Sequence, residues 1–250
     1  IALALSDKID SLVGFFGINL KPTSSKDPYA LRRLAIGMIK IILENRKTIK
    51  LRDLINYSLQ LYNEQNLNFN SENTSKDLAI FLKERFKNYM KEKNVRQDII
   101  ESSTSSYNID DILKIYKKAN TLNNMISKDI GLDVIFIYKR ASNILIDEIN
   151  KNNLEISDIA DPGLFKNEFE KKLYKKIHDI RKEFSSISRE NDYKGLLISL
   201  ASAKLEVTEF FDNVKVNDAD NVIKKNRLEL LKMLCKTFDN YFNFSKIESL

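Results

Sequence analysis

The 250-residue sequence holds one cysteine, one histidine, six glycines, three prolines and no tryptophan. Each scarcity excludes something. A lone Cys235 cannot close an internal disulfide, and its neighbours Leu231, Leu234 and Phe238 predict a small buried hydrophobe in a reducing, cytoplasmic setting. One histidine and one cysteine cannot supply the three or four ligands of a His/Cys zinc site. Ser-His-Asp and Cys-His catalysis would both need His178, which falls one residue off the apolar stripe of a charged helix and reads as a helix-boundary residue. The glycines at 14, 17, 37, 131, 163 and 195 are too scattered for a P-loop or a G-x-G-x-x-G fingerprint. The longest apolar runs, Met38 to Leu43 and Asp133 to Tyr138, fall far short of the roughly 20 residues of a membrane span, so no membrane partner is expected. Ile1 in place of Met, with no charged leader, reads as the start of a piece of a longer polypeptide without a targeting segment of its own.

With so few glycines and prolines, helical periodicity runs almost unbroken. Pro28 precedes an i, i+3/i+4 stripe of Ala30, Leu31, Leu34, Ala35, Met38, Ile39 and Ile42, which predicts a helix with Asp27 as N-cap and Pro28 as its first residue. Asp161-Pro162 repeats the device ahead of Leu164, Phe165, Phe169, Leu173 and Ile177. Further helices are expected at about 3–16, 51–62, 74–91, 98–103, 109–126, 132–150, 193–211 and 219–242. Polar loops are expected at 19–26, 63–73, 102–108, 151–162 and 212–218. No segment alternates apolar and polar residues between turn dipeptides, so the expected fold class is all-α, a helical bundle in two subdomains. Residues 1–125 carry 20 Lys+Arg against 14 Asp+Glu, whereas residues 126–250 carry 21 of each. That change in charge, with a new helix starting after it, places the expected boundary near Ser127, giving domains 1–127 and 128–250.

Close carboxylate pairs such as Asp110-Asp111 and Asp218/Asp220 lie where helices begin and favour the positive end of the dipole, so they read as caps rather than acid-base catalysts. His178-Asp179 spells the dipeptide of HD-type phosphohydrolases, but such a site needs a further histidine upstream and the sequence has none. Neither a catalytic residue nor a metal or cofactor site is expected. Three basic clusters remain: Lys83, Arg85, Lys87, Lys91 and Lys93; Lys114, Lys117 and Lys118; and Lys171, Lys172, Lys175 and Lys176. Interleaved acids, including Glu84, Glu92, Glu168 and Glu170, read as their i, i+4 partners on solvated faces. Single-stranded RNA is read by stacking bases on Tyr, Phe or Arg and bonding their edges to polar groups, a task that Tyr138, Arg140, Asn143, Phe211 and Asn213 would suit.

Five collinear blocks give the sequence a family likeness. They are Leu3 to Ile18, Lys26 to Arg33, Lys139 to Leu145, Asp161 to Phe165, and Phe210 to Leu231. Together they resemble the C-terminal part of the bacterial glycyl-tRNA synthetase beta subunit. The first block resembles the end of an HD-type helical domain, where Asp7 matches the last aspartate of the metal pattern but is assigned no metal. The region from about Leu132 is similar to the DALR-type anticodon-binding bundle, and Phe242 to Leu250 resembles the family's C-terminus. The resemblance implies a glycine tRNA partner, a partner alpha subunit that carries out glycylation with ATP and magnesium, and no DNA partner. Glycine anticodons share two cytosines. Arg140, Asn143, Asp212, Asn213, Asn226 and Arg227 lie in the matching blocks and carry suitable donors and acceptors, so they are the candidate RNA-binding residues. Two other readings stay open: a helical scaffold for subunit assembly, and the arginyl enzyme, which shares the DALR bundle. The first two blocks argue against the latter, whose catalytic domain precedes its bundle.

Overall fold

The computed structural model describes residues 1–67, 69–105, 110–152, 155–190 and 192–248, with the backbone alone at 152 and 185–190. Among these residues there are helices and no strand. The α-helices are α1 (Ala2–Gly17), α2 (Leu31–Glu44), α3 (Leu51–Glu64), α4 (Ser71–Glu92), α5 (Gln97–Thr104), α6 (Ile112–Met125), α7 (Asp129–Asn152), α8 (Glu168–Glu190), α9 (Tyr193–Ala201), α10 (Lys204–Asn213) and α11 (Asn221–Asp239). Short 3-10 turns follow at Pro162–Leu164 and Phe244–Lys246. The chain forms two compact units, residues 1–119 and 120–250, and the division falls inside α6, ahead of Ser127. Parts of the expected loops at 63–73, 102–108 and 151–162, the expected helix start at Ile109, and the last two residues of the C-terminal block lie outside the described residues.

In the first unit α1 buries Leu5, Ile9, Leu12, Val13 and Phe16 against α2, α3 and α4. The spacing of these residues is that of one helix face. Four of its helices end in the same way. The backbone turns left-handed at Asn19, Arg46, Asn66 and Asn94, with φ of 61°, 50°, 62° and 60°. In each, two N–H groups reach back to the last turn, as Leu20 does to Phe15 O and Lys47 to Ile42 O. Asparagine tolerates this conformation better than most residues, and three of the four positions use it.

The start of α2 differs from expectation. Asp27 caps it, its carboxylate accepting from the N–H groups of Leu31 (2.8 Å) and Arg32 (3.0 Å). Pro28, however, lies in a turn closed by Ala30 N–H to Asp27 O, and the helix begins only at Leu31. Proline fits the second position of such a turn as well as it fits a helix start. The turn leaves Ala30 left-handed at φ 54°. Ala30→Gly is therefore expected to stabilise the chain by about 0.5–1 kcal/mol, the relief of a Cβ clash less the added unfolded-state entropy. Thermal unfolding checks this, and an unchanged or lower midpoint would count against it.

The second unit is a bundle of α7, α8, α10 and α11, with the short helix α9 packed against α7 and α8. Lys204 pairs with Asp133 near the starts of α10 and α7, and Arg140 meets Asp212 towards the end of α10, so these helices run side by side in the same direction. α11 runs antiparallel to α7, since Tyr138 bonds Asp239 while Glu148 pairs with Lys224. Gly131 allows the turn from α6 into α7, because a Cβ there would sit 2.2 Å from Met125 O. The single helix expected over 193–211 is two helices. Ser202 donates to Ser199 O (2.6 Å) and Ala203 N–H to Leu200 O, a tightened turn in which serine competes with the helical ladder. After Asp161-Pro162 there is only a 3-10 turn, and α8 is capped instead by Asn167, which accepts from Phe169 and Glu170 N–H.

Candidate nucleic-acid interface

The core face of α7 carries Val134, Ile137, Tyr138, Ala141 and Leu145. A second face, off that stripe, carries Leu132, Phe136, Arg140 and Asn143 at helical spacing, with Leu132 44% and Phe136 42% exposed. The parallel helix α10 brings Phe211, Asp212 and Asn213 alongside. Phe210 is fully buried and packs edge-on against Phe211 at 5.3 Å, which fixes the half-exposed Phe211 ring at the surface.

The Arg140 guanidinium lies 4.6 Å from the Phe211 ring centroid and 5.7 Å from that of Phe136. One of its nitrogens is 3.5 Å from the Asp212 carboxylate. At these exposures the ion pair contributes at most about 1 kcal/mol, so a ligand can displace it at little cost. Asn143 is exposed one turn further along, and the Asn213 amide donates to Glu209 O (2.9 Å) at the end of α10. Four of the six candidates, Arg140, Asn143, Asp212 and Asn213, thus share one surface with two aromatic rings.

Asn226 and Arg227 correct the expectation. Both are buried, and their polar groups are engaged inside the unit. Asn226 accepts from Asp161 N–H (2.7 Å) and donates to Asp161 O (3.0 Å). Arg227 donates to Glu170 (2.7 Å), Asp218 (2.6 Å) and Lys215 O (2.9 Å). They tie α11 to the loops before α8 and after α10. Glu170 is correspondingly not a surface partner of the lysines: fully buried, it also accepts from Lys166 and Asn167 N–H and closes the cap of α8. Tyr138 is also core. It packs on Phe238 and Phe244 and donates to Asp239, and burial beside that carboxylate raises its pKa and keeps the phenol protonated. Phe136 was not among the sequence candidates, although its position off the core stripe and four residues before Arg140 was a usable signal.

His178 is exposed and packs against Tyr174, the tilted rings 4.4 Å apart. Asp7 is exposed beside Lys8, and no group of three metal-ligating side chains occurs among the described residues. No described helix is long and apolar enough to cross a membrane.

Residues 1–105 match the family model of the glycyl-tRNA synthetase beta subunit, and residues 134–250 match that of the DALR anticodon binding domain. The chain belongs to the glycyl-tRNA synthetase beta subunit family. It is 39% identical over 246 residues to the glycine–tRNA ligase beta subunit of Rickettsia canadensis (strain McKiel), a match covering 98% of this chain and 35% of that protein. The same subunit of Clostridioides difficile (strain 630) is 34% identical over 247 residues, covering 99% of this chain and 34% of the relative. The chain thus spans about a third of the length of these relatives. Phe136, Arg140, Asn143 and the α10 residues of this face all lie within the DALR match.

Proposed function

We propose that this chain supplies the anticodon-reading part of a glycine–tRNA ligase, with the Arg140 face of the second unit docking on the anticodon arm of glycine tRNA. The observation that carries the reading is the partly exposed Arg140–Asp212 pair beside Phe136 and Phe211. A carboxylate accepts from the cytosine amino group, and a guanidinium donates to the cytosine ring nitrogen and carbonyl. An acceptor beside donors is the pattern with which guanine itself pairs to cytosine. The two neighbouring rings supply stacking surfaces. Glycylation would take place in the partner alpha subunit with ATP and magnesium, in the cytoplasm, this chain holding the tRNA for it.

The test is binding of the chain to glycine tRNA, and to the same tRNA with both anticodon cytosines replaced, across a salt series. Loss of affinity on replacement, with a salt slope of a few phosphate contacts, supports an anticodon reader. Weak binding indifferent to the anticodon would support the scaffold reading. One observation favours the latter: a recess of 370 Å³ in the first unit, formed by Phe15, Ile18, Tyr62, Leu67 and Phe69 beside Asp10 and Ser11, with no basic lining residue.

A further inference from the structure

The net positive charge of this chain lies in the first unit, where the clusters evident from sequence mix engaged and exposed cations. Lys87 pairs with Glu101 and Glu84, and burial brings the Lys118 ammonium down to about 8. The lysines of α8 border a groove that also contains Asp179, Glu206 and Glu209, equal in number to Lys172, Lys175 and Lys176. A different segment stands out. The link from α2 to α3 carries Arg46, Lys47, Lys50 and Arg52, all exposed, against Glu44 and Asp53. None of the four has an ion-pair partner among the described residues. The nearby Asp110 is engaged by backbone, accepting from Leu51 N–H through its carbonyl and from Arg52 N–H through its carboxylate.

Three of these cations sit where local structure disfavours them. Arg46 holds the left-handed position that the other three helix ends give to asparagine. Lys50 is the N-cap of α3 and makes no side-chain cap bond, and Arg52 lies in the first turn. There the helix dipole repels positive charge, and the carboxylate that caps the first turn is supplied by Asp110 and not by the residue at the N-cap position. A fold selected only for stability would place other residues at these points, and an anionic partner offsets the cost of having cations there.

We propose that Arg46, Lys47, Lys50 and Arg52 form a second RNA-binding surface, which contacts the phosphates of the tRNA backbone irrespective of sequence. It rests on the reading of this chain as a tRNA-binding protein and is separate from the base-reading face of the second unit. Its signature is that substitutions which help the fold weaken the complex.

The experiment compares the chain with its Arg46→Asn/Lys50→Asn variant. The variant is expected to melt about 2 °C higher. It should bind glycine tRNA about tenfold more weakly near physiological salt. The slope of log affinity against log salt should fall by about 1.4–1.8, the loss of two phosphate contacts. The ratio of affinities for the native and anticodon-altered tRNAs should not change. Unchanged affinity and slope in a folded, stabilised variant would overturn the surface while leaving an anticodon-sensitive parent, and so the proposed function, intact. An anticodon-indifferent parent whose slope still drops in the variant would do the reverse. A parent that does not bind tRNA sinks both. Binding to anionic phospholipid vesicles that the variant loses, with tRNA binding unaltered, would assign the cations to a membrane surface and overturn the proposal.

Discussion

Arg227→Ala is expected to destabilise the second unit by about 3–5 kcal/mol, the usual cost of removing one partner from a buried ion pair. The side chains of Arg227 and Glu170 are 6% and 1% exposed, so alanine would leave the Glu170 carboxylate buried without its cation. That carboxylate cannot turn to water without giving up the Lys166 and Asn167 N–H groups, which would uncap α8 as well. The lost bonds to Asp218 and Lys215 O also free the loop after α10, whose last residues carry the Arg140 partners. Denaturant unfolding of Arg227→Ala, Glu170→Gln and the double variant measures this directly. The double variant should cost clearly less than the sum of the singles, because each single leaves the other group stranded. A cost below about 1 kcal/mol for Arg227→Ala would show that the pair is not what holds these elements together. Reduced tRNA binding by the same variant would be an indirect effect, transmitted through the end of α10.

This network also marks the limit of what the sequence disclosed. Periodicity gave the all-α class and most helix positions, because the apolar stripes of α1, α2 and α11 are long and uninterrupted by proline. It failed where a side chain competes with the backbone, as at Ser199 and Ser202, and where Asp-Pro builds a turn rather than a first helical residue. Candidate residues chosen by chemical type came out divided. Arg140 and Arg227 have the same functional group and lie in equally good matching blocks, and only tertiary burial separates a partly exposed guanidinium beside two rings from one enclosed by carboxylates. Asp110 shows the same limit. It lies just ahead of α6, as its place in the sequence suggested, yet its carboxylate accepts from the first turn of α3, 58 residues away. The cationic link between α2 and α3 was in the sequence throughout. Its significance depended on knowing that Arg46 is left-handed and that Lys50 begins a helix.

Arg140→Ala should weaken binding to glycine tRNA by about 1.5–3 kcal/mol, roughly ten- to a hundredfold, with helix content unchanged. One bidentate base contact is worth about 1–3 kcal/mol, and the guanidinium also rests on the Phe211 ring. A tRNA whose anticodon cytosines have been replaced should lose far less, since it never made that contact. Asp212→Asn is the sharper probe. An ionised carboxylate only accepts, so it welcomes the amino group of cytosine and repels the carbonyl that uracil presents in its place. An amide both donates and accepts, and can satisfy either base. Affinity for glycine tRNA should therefore hold or rise slightly as a negative charge leaves the RNA surface, while discrimination between cytosine and uracil falls about tenfold. Phe136→Ala provides the contrast: stacking is tolerant of base identity, so both tRNAs should lose affinity by a similar factor. If Asp212→Asn and Phe136→Ala gave the same pattern, Asp212 would be a surface charge beside the RNA and not a reader of it. If discrimination falls with the first and survives the second, the carboxylate is what distinguishes cytosine from uracil and the rings are what hold the base in front of it.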